Sequence, residues 1–300
     1  MLKFRKTKIV LLAILAAYAC ARVLEVFSGT IPHLWIVALD VLSAAAFAFA
    51  LGSRRHGWRG MLVFAAICLA VGNVIENVGV ATGFPFGRYR FLELMGPKIG
   101  DVPLLLGLAY IGMAYVSWML ARMILDAGVA GRSSRSIIVL PLLASLIMTT
   151  WDVAQDPVWS TILHGWIWYE GGAWFGVPLS NYLGWFGTVF LINLLFGLCL
   201  RRGVVSEREL DGFPVWPAPA FYALCAAGNV LQLASHSAPA IVTDASGRAW
   251  QSEQILLASA FVSVVCMGTF VVLALRKRGP TATTSRAMNA GFSDASPRDA

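Results

Sequence analysis

Charge is scarce in this sequence. Only 13% of its 300 residues are Asp, Glu, Lys or Arg, against 58% hydrophobic ones, where an ordinary soluble domain is about a quarter charged. A water-soluble globular protein is therefore excluded. The hydrophobic share amounts to about 174 residues, and at roughly 20 per spanning helix about eight spans would use nearly all of them. Little is left for an extramembrane domain, so any site has to be built inside the helices or in their connecting loops. Histidine is scarce too: the four present (His33, His56, His164, His236) form no H-x-x-x-H or H-x-x-H-H box, which removes the ligands of a membrane di-iron oxygenase or desaturase. The five cysteines (Cys20, Cys68, Cys199, Cys225, Cys266) lie in apolar segments without a C-x-x-C pair, so they read as small core residues and leave no metal site. A Walker A loop, a G-x-G-x-x-G after a strand and a G-x-S-x-G are all missing, and nucleotide and serine-hydrolase chemistry go with them.

What is present is a series of long apolar runs bounded by Gly, Pro or Arg, at 9–27, 34–51, 61–80, 103–124, 137–155, 182–200, 218–239 and 254–275. They predict an all-α polytopic membrane bundle of about eight transmembrane helices over 1–275, with both termini cytoplasmic and a disordered tail over 276–300. The fifth run is the weakest, since it reaches spanning length only by including Trp151 and Asp152. The first run, behind Lys3, Arg5, Lys6 and Lys8, also has the form of a cleavable secretory signal. Arg22 and Glu25, three apart on one helical face, favour its retention. On this topology 18 of the 23 Lys and Arg fall on the cytoplasmic side, as the positive-inside rule requires. The net charge of +7 then concerns orientation and anionic lipid in the inner cell membrane rather than nucleic acid.

Ionisable and amide side chains inside a bilayer are costly, and each is a candidate for function. Counting about 1.5 Å per helical residue, Glu76 lies roughly 22 Å along the third run, in the outer half, with Asn73 and Asn77 on its face. Asp152 reaches a similar depth on the fifth run, Asp40 on the second, and Asn229, Gln232 and His236 form a stripe on the seventh. Four helices thus converge on one layer. Two loops lie on the same side: 82–102, punctuated by Gly and Pro, and 153–180. Six of the eleven Trp fall between Trp151 and Trp185; a membrane-interface belt would spread them over many helices, whereas this concentration points to an aromatic pocket. Glu76 and Asp152 each close an outward helix, and each is followed by a Val-Pro-Leu (102–104 and 177–179) that opens an inward one, hinting at two related hairpins with one carboxyl each.

A carboxylic acid bordered by apolar surroundings is disfavoured from ionising and can serve as a proton donor, while Trp faces stabilise a nearby cation. Together they suit acid-catalysed chemistry on a hydrophobic alkene: protonation, a carbocation held by aromatic faces, then capture by water or by an internal double bond. No cofactor and no metal is required.

The stretch E-N-V-G-V-A-T-G-F-P-F-G-R-Y (76–89), with L-M-G-P-K, D-V-P, W-D-V-A-Q-D-P (151–157), G-W-I-W (165–168) and F-G-V-P-L-S-N-Y-L-G-W (175–185), resembles the CruF-type carotenoid biosynthesis family, polytopic proteins that hydrate the terminal double bond of acyclic carotenoid ends. The likeness covers 76–185, and Thr150 departs from it where the family has a small alanine. It implies a cofactor-independent carotenoid hydratase, a hydro-lyase acting on a hydrophobic carotenoid and water among membrane lipids, alongside other enzymes of the pathway. The resemblance does not assign roles to the carboxyls; on the chemistry above, Asp152 is expected as general acid, with Glu76 or Asp156 orienting water and accepting its proton. Trp151, Trp166 and Trp168 would face the cation, and Tyr89, Arg88, Asn181 and Trp185 would line or support the site. The alternatives are another reaction at a carotenoid end, such as cyclisation, and a non-enzymatic transporter or lipid-binding protein. A transporter would be expected to place its polar groups near the midplane on broken helices, whereas here they gather toward one end.

Overall fold

The computed structural model describes residues 2–27, 30–125, 134–208, 216–236 and 240–276, so the tail expected beyond Arg276 lies outside the described residues. The chain is a helical bundle of α1 (Leu2–Leu24), α2 (His33–Thr82), α3 (Leu104–Ile124), α4 (Ser134–Pro157), α5 (Leu179–Arg201), α6 (Pro217–Ser235), α7 (Ser252–Val262) and α8 (Gly268–Arg276). Six helical stretches among the described residues are long and apolar enough to cross a membrane. Many of the apolar side chains that remain exposed, such as Leu42, Leu69, Val74, Leu183 and Phe261, belong to these stretches and form the face a bilayer would cover.

One of the six is 50 residues long, more than twice what a span needs. Gly57 breaks it with non-helical angles (φ 72°, ψ 169°), a conformation that glycine adopts at little cost. Both ends of α2 meet the loop between α2 and α3: Leu34 packs on Gly96, and Asn77 Oδ1 accepts from the backbone N–H of Asp101. A straight helix of this length would hold its ends about 75 Å apart, so the two arms fold back on each other at Gly57. The second and third apolar runs of the sequence are these arms, and the residues between them stay helical except at the glycine.

The fifth run extends further than its apolar pattern implied. The chain remains helical through Pro157 and continues as a π-turn, Val158–Ile162, a widened turn of the kind found at breaks in helices. A second π-turn, Ser263–Met267, joins α7 to α8 to complete the stretch Ser252–Arg276.

Among the described residues, three short antiparallel ribbons sit between helices. β1 (Tyr89–Phe91) pairs with β4 (Trp166–Trp168), setting Tyr89 opposite Trp168 and Phe91 opposite Trp166. β2 (Lys98–Ile99) pairs with β3 (Val102–Pro103), and β5 (Ile241–Thr243) with β6 (Ala249–Gln251). The β1–β4 ribbon ties the α2–α3 loop to the α4–α5 loop. Pro103 and Pro178, both extended, immediately precede α3 and α5, so the two Val-Pro-Leu segments do open corresponding helices; proline's fixed φ and missing N–H suit a helix start. Between the two units lies the ring of Phe86. A Cβ on Gly79 of α2 would come within 2.6 Å of it, and one on Gly184 of α5 within 2.5 Å, so only glycine allows both helices to close on this ring.

Candidate active site

Three carboxyl groups come together where the second arm of α2 meets α4 and α5, beside the β1–β4 ribbon. Glu76 is 2% exposed, Asp152 4% and Asp156 1%, so the polar groups around each decide what it can do. Glu76 Oε1 accepts from Tyr110 Oη at 2.7 Å, and its Oε2 accepts from Tyr89 Oη. Asp156 Oδ1 accepts from Trp166 Nε1 at 2.8 Å and from Trp168 Nε1 at 3.2 Å; its Oδ2 accepts from Asn181 Nδ2 at 2.6 Å. These three bonds all come from N–H donors, so the group serves as an acceptor on both oxygens. Asp152, one helical turn earlier on the same face, is less committed: its hydrogen-bond partner is Asn181 Nδ2, 3.2 Å from Oδ2.

Two of the cavities that border this cluster share a wall. The larger, about 70 Å³, receives Asp152 together with Trp151, Gln155, Trp159, Trp166 and Trp185, and on its far side Asp40 and Arg22. The smaller, about 20 Å³, lies between Glu76 and Asp156 and is closed by Tyr89, Trp168 and Asn181. That volume suits a single water, which needs polar partners of this kind. Leu106, Trp166 and Trp185 line both cavities and form the partition between them. The aromatic groups brace one another: Trp185 stacks on Tyr110 with centroids 4.7 Å apart, Trp151 meets Trp185 edge-on at 6.5 Å, and Trp159 lies parallel to Trp166 at 6.2 Å.

The structure gathers nine of the ten residues expected from the sequence. Arg88 is the exception. It is exposed, because side chains alternate along a strand and Tyr89 takes the buried face of the ribbon. Trp168 also departs from its expected place, since it lines the small cavity and turns its N–H edge to Asp156 instead of facing the larger one. Trp166 does both, with its N–H on Asp156 and its ring on the larger cavity. Among the described residues no group of three or more His, Cys, Asp or Glu is arranged to hold a metal ion.

The stripe on α6 serves a different purpose from the one its depth implied. Asn229 Oδ1 accepts from Arg22 Nη2 at 2.7 Å, Asn229 Nδ2 donates to Ser263 Oγ at 2.8 Å, and Gln232 Nε2 donates to Glu25. Arg22 Nη1 in turn holds Glu25 at 2.7 Å and stands 4.0 Å from Asp40. These groups lock α1 to α6, and Arg22 and Asp40 carry the network to the wall of the larger cavity. Beyond that wall, past Val37 and Trp159, a third space of about 210 Å³ is lined by Glu25, His33, Gln232, Ser235 and His236.

The carotenoid biosynthesis protein family matches residues 35–249, a span that holds all three clustered carboxyls and every Trp of the cavities. The chain belongs to that family. It is also 31% identical over 138 residues to the bisanhydrobacterioruberin hydratase of Haloarcula japonica, a stretch covering 46% of this chain and 45% of that protein. The chain thus spans about half the length of the curated relative it matches. No solved structure matches. Arg22 and Glu25 fall outside the family match, and with Trp159 and Tyr110 they are what sequence reasoning left out of the site; Asp40, expected only in the same layer, lines its larger cavity. For Trp159 a signal existed: Trp151, Gln155 and Trp159 recur every fourth residue on one helical face. Tyr110, in the middle of an apolar helix, carried no such cue.

Proposed function

We propose that this member of the carotenoid biosynthesis family hydrates the terminal carbon–carbon double bond of an acyclic carotenoid, as a multi-pass protein of the cell membrane. The observation that carries the reading is the division of labour among the carboxyls. Asp152, with a single hydrogen bond, faces an aromatic cavity, while Glu76 and Asp156 flank a water-sized space behind the same partition.

The end of the polyene enters the larger cavity. Asp152 gives its proton to the CH carbon of the isopropylidene group, and the π electrons form the new C–H bond. The positive charge is left on the tertiary carbon, against the faces of Trp151, Trp166 and Trp185, whose ring quadrupoles favour a cation. Water held between Glu76 and Asp156 adds through its oxygen, and one of these two carboxylates takes the proton released. The product is a tertiary alcohol, heavier by one water. Asn181, which donates to both Asp152 and Asp156, bridges donor and acceptor sides and lies where the proton must return before the next cycle.

Expression in a host that makes acyclic carotenoids tests this. Pigments heavier by one water, carrying ¹⁸O when the cells grow in H₂¹⁸O, are expected. Isomers of unchanged mass would refute hydration and point to cyclisation, which uses the same acid and the same aromatic faces.

A further inference from the structure

The cavity at Asp152 is about 70 Å³, roughly half the size of an apolar cavity known to take benzene. On the hydratase reading, it holds only the last few carbons of the substrate, and the rest of the polyene has to leave it. Two spaces adjoin. The one past Val37 and Trp159 sets Glu25, His33, Gln232 and His236 among apolar neighbours such as Ile36, Ile162 and Leu256; a hydrocarbon there would meet those apolar faces but would also strip water from the polar groups. The other is a groove of about 400 Å³ between the second arm of α2 and the first turns of α3. Its floor is Ala66, Ala70 and Gly107. Its rim is Leu69 and Leu104, 46% and 44% exposed, on the apolar surface a bilayer would cover. Its inner end is Glu76, Tyr110 and Leu106, and Leu106 also lines both cavities of the site.

We propose that this groove is the binding site for the conjugated chain of the substrate, reached sideways from the lipid, and that Leu106 is the threshold over which the end of the chain passes to Asp152. The proposal rests on the hydratase reading and adds to it where the hydrocarbon lies.

The test fills the groove. Gly107→Phe and Ala70→Trp each place a large side chain in it; at Gly107 even a Cβ would stand 2.7 Å from Leu69 Cδ2. Val74→Trp, on the exposed side of the same arm at 62% exposure, is the control. Each variant is given a full-length acyclic carotenoid and a ten-carbon isoprenoid alkene with the same end group. The groove variants are expected to lose at least tenfold in conversion of the long substrate while the short one is hydrated at the rate of the parent chain, and Val74→Trp should convert both. Long-chain conversion unchanged in both groove variants overturns the proposal. A second measurement leaves the groove open: a diazirine side chain of leucine size replaces Leu69 or Val74, and the membranes are illuminated with the carotenoid present. A polyene adduct at 69 and none at 74 supports the site, and absence of the adduct at 69 overturns it. If the unaltered chain hydrates neither substrate, the hydratase reading itself has failed.

Discussion

Replacing Asp152 and Asp156 by asparagine, one at a time, is expected to damage the protein in opposite ways. Asp152 accepts one hydrogen bond, at 3.2 Å, and an asparagine there keeps an oxygen to accept it, so the structural cost should stay below about 1 kcal/mol. What it loses is the proton, and removal of a general acid costs about 10² to 10⁴ in rate, or roughly 3 to 5 kcal/mol of barrier. Asp156 instead receives three N–H donors on two oxygens. An amide has one accepting oxygen, so its NH₂ must face either the two indole N–H groups or Asn181 Nδ2. Even if Asn181 turns its own amide, the indole bonds go from carboxylate to neutral acceptors at about 1 kcal/mol each. An unrelieved clash of donors adds about 1 to 3 kcal/mol. Asp156→Asn should therefore accumulate poorly and melt earlier in detergent, while Asp152→Asn accumulates normally and yields no hydrated pigment. The assay pairs unfolding followed by Trp fluorescence with pigment analysis of the same membranes. Normal hydration by Asp152→Asn, or Asp156→Asn as stable as the parent chain, would refute the division of roles.

Other predictions follow from single contacts. Tyr89→Phe leaves Glu76 with Tyr110 as its remaining hydroxyl donor, and should cost about 1 to 3 kcal/mol of stability, read by thermal unfolding; no change would mean the hydroxyl contact carries no weight. Gly79→Ala sets a Cβ 2.6 Å from the Phe86 ring and 3.1 Å from Tyr89 Oη, so about 1 to 3 kcal/mol of overpacking should come with loss of activity, whereas Gly187→Ala, with nothing within 4 Å, should be neutral in both assays. In the loop closed by β5 and β6, burial pushes the Asp244 carboxyl up, but hydrogen bonds from Ser246, Trp250 and the backbone of Arg248 outweigh it and hold it below the usual carboxylate range. A carboxyl lowered by folding stabilises the fold above its unfolded value and loses that contribution as pH falls through the folded one. Protection of the Ser246 and Arg248 amides, taken relative to the intrinsic exchange rate at each pH, should accordingly be flat from pH 7 to 5 and fall only below about pH 4; a loss of protection near pH 6 would contradict this.

The convergence of the carboxyls was legible because it needs only a helix rise and the ends of apolar runs. Glu76 and Asp152 do come to one cluster, and the pairing of Arg22 with Glu25 at a spacing of three is present. What spacing could not convey was partnership between distant segments. The stripe of Asn229 and Gln232 was visible, but its partners Arg22 and Glu25, at the end of α1 and just beyond it, lie 207 residues away. The ring edges of Trp166 and Trp168 point at Asp156 because a three-residue strand pairs with another, and strands that short carry no periodicity of their own. For the same reason Arg88 and Tyr89, adjacent in one motif, could not be told apart. The charged run around Gly57 read as a loop, whereas its flanks continue the helix and a single residue makes the turn.

The β1–β4 ribbon has a consequence for how this protein can vary. Surface loops ordinarily tolerate insertions, because nothing inside depends on their phase. Here the chain between Thr82 and Tyr89 is clamped at one end by Phe86 between two glycines and at the other by a pairing whose sides alternate with every residue. One residue added or removed would send Tyr89 outward and Arg88 inward, setting a guanidinium against Glu76 in place of a phenol. Length, more than composition, is what this loop has to keep, and two-residue changes should be accepted more readily than one-residue changes.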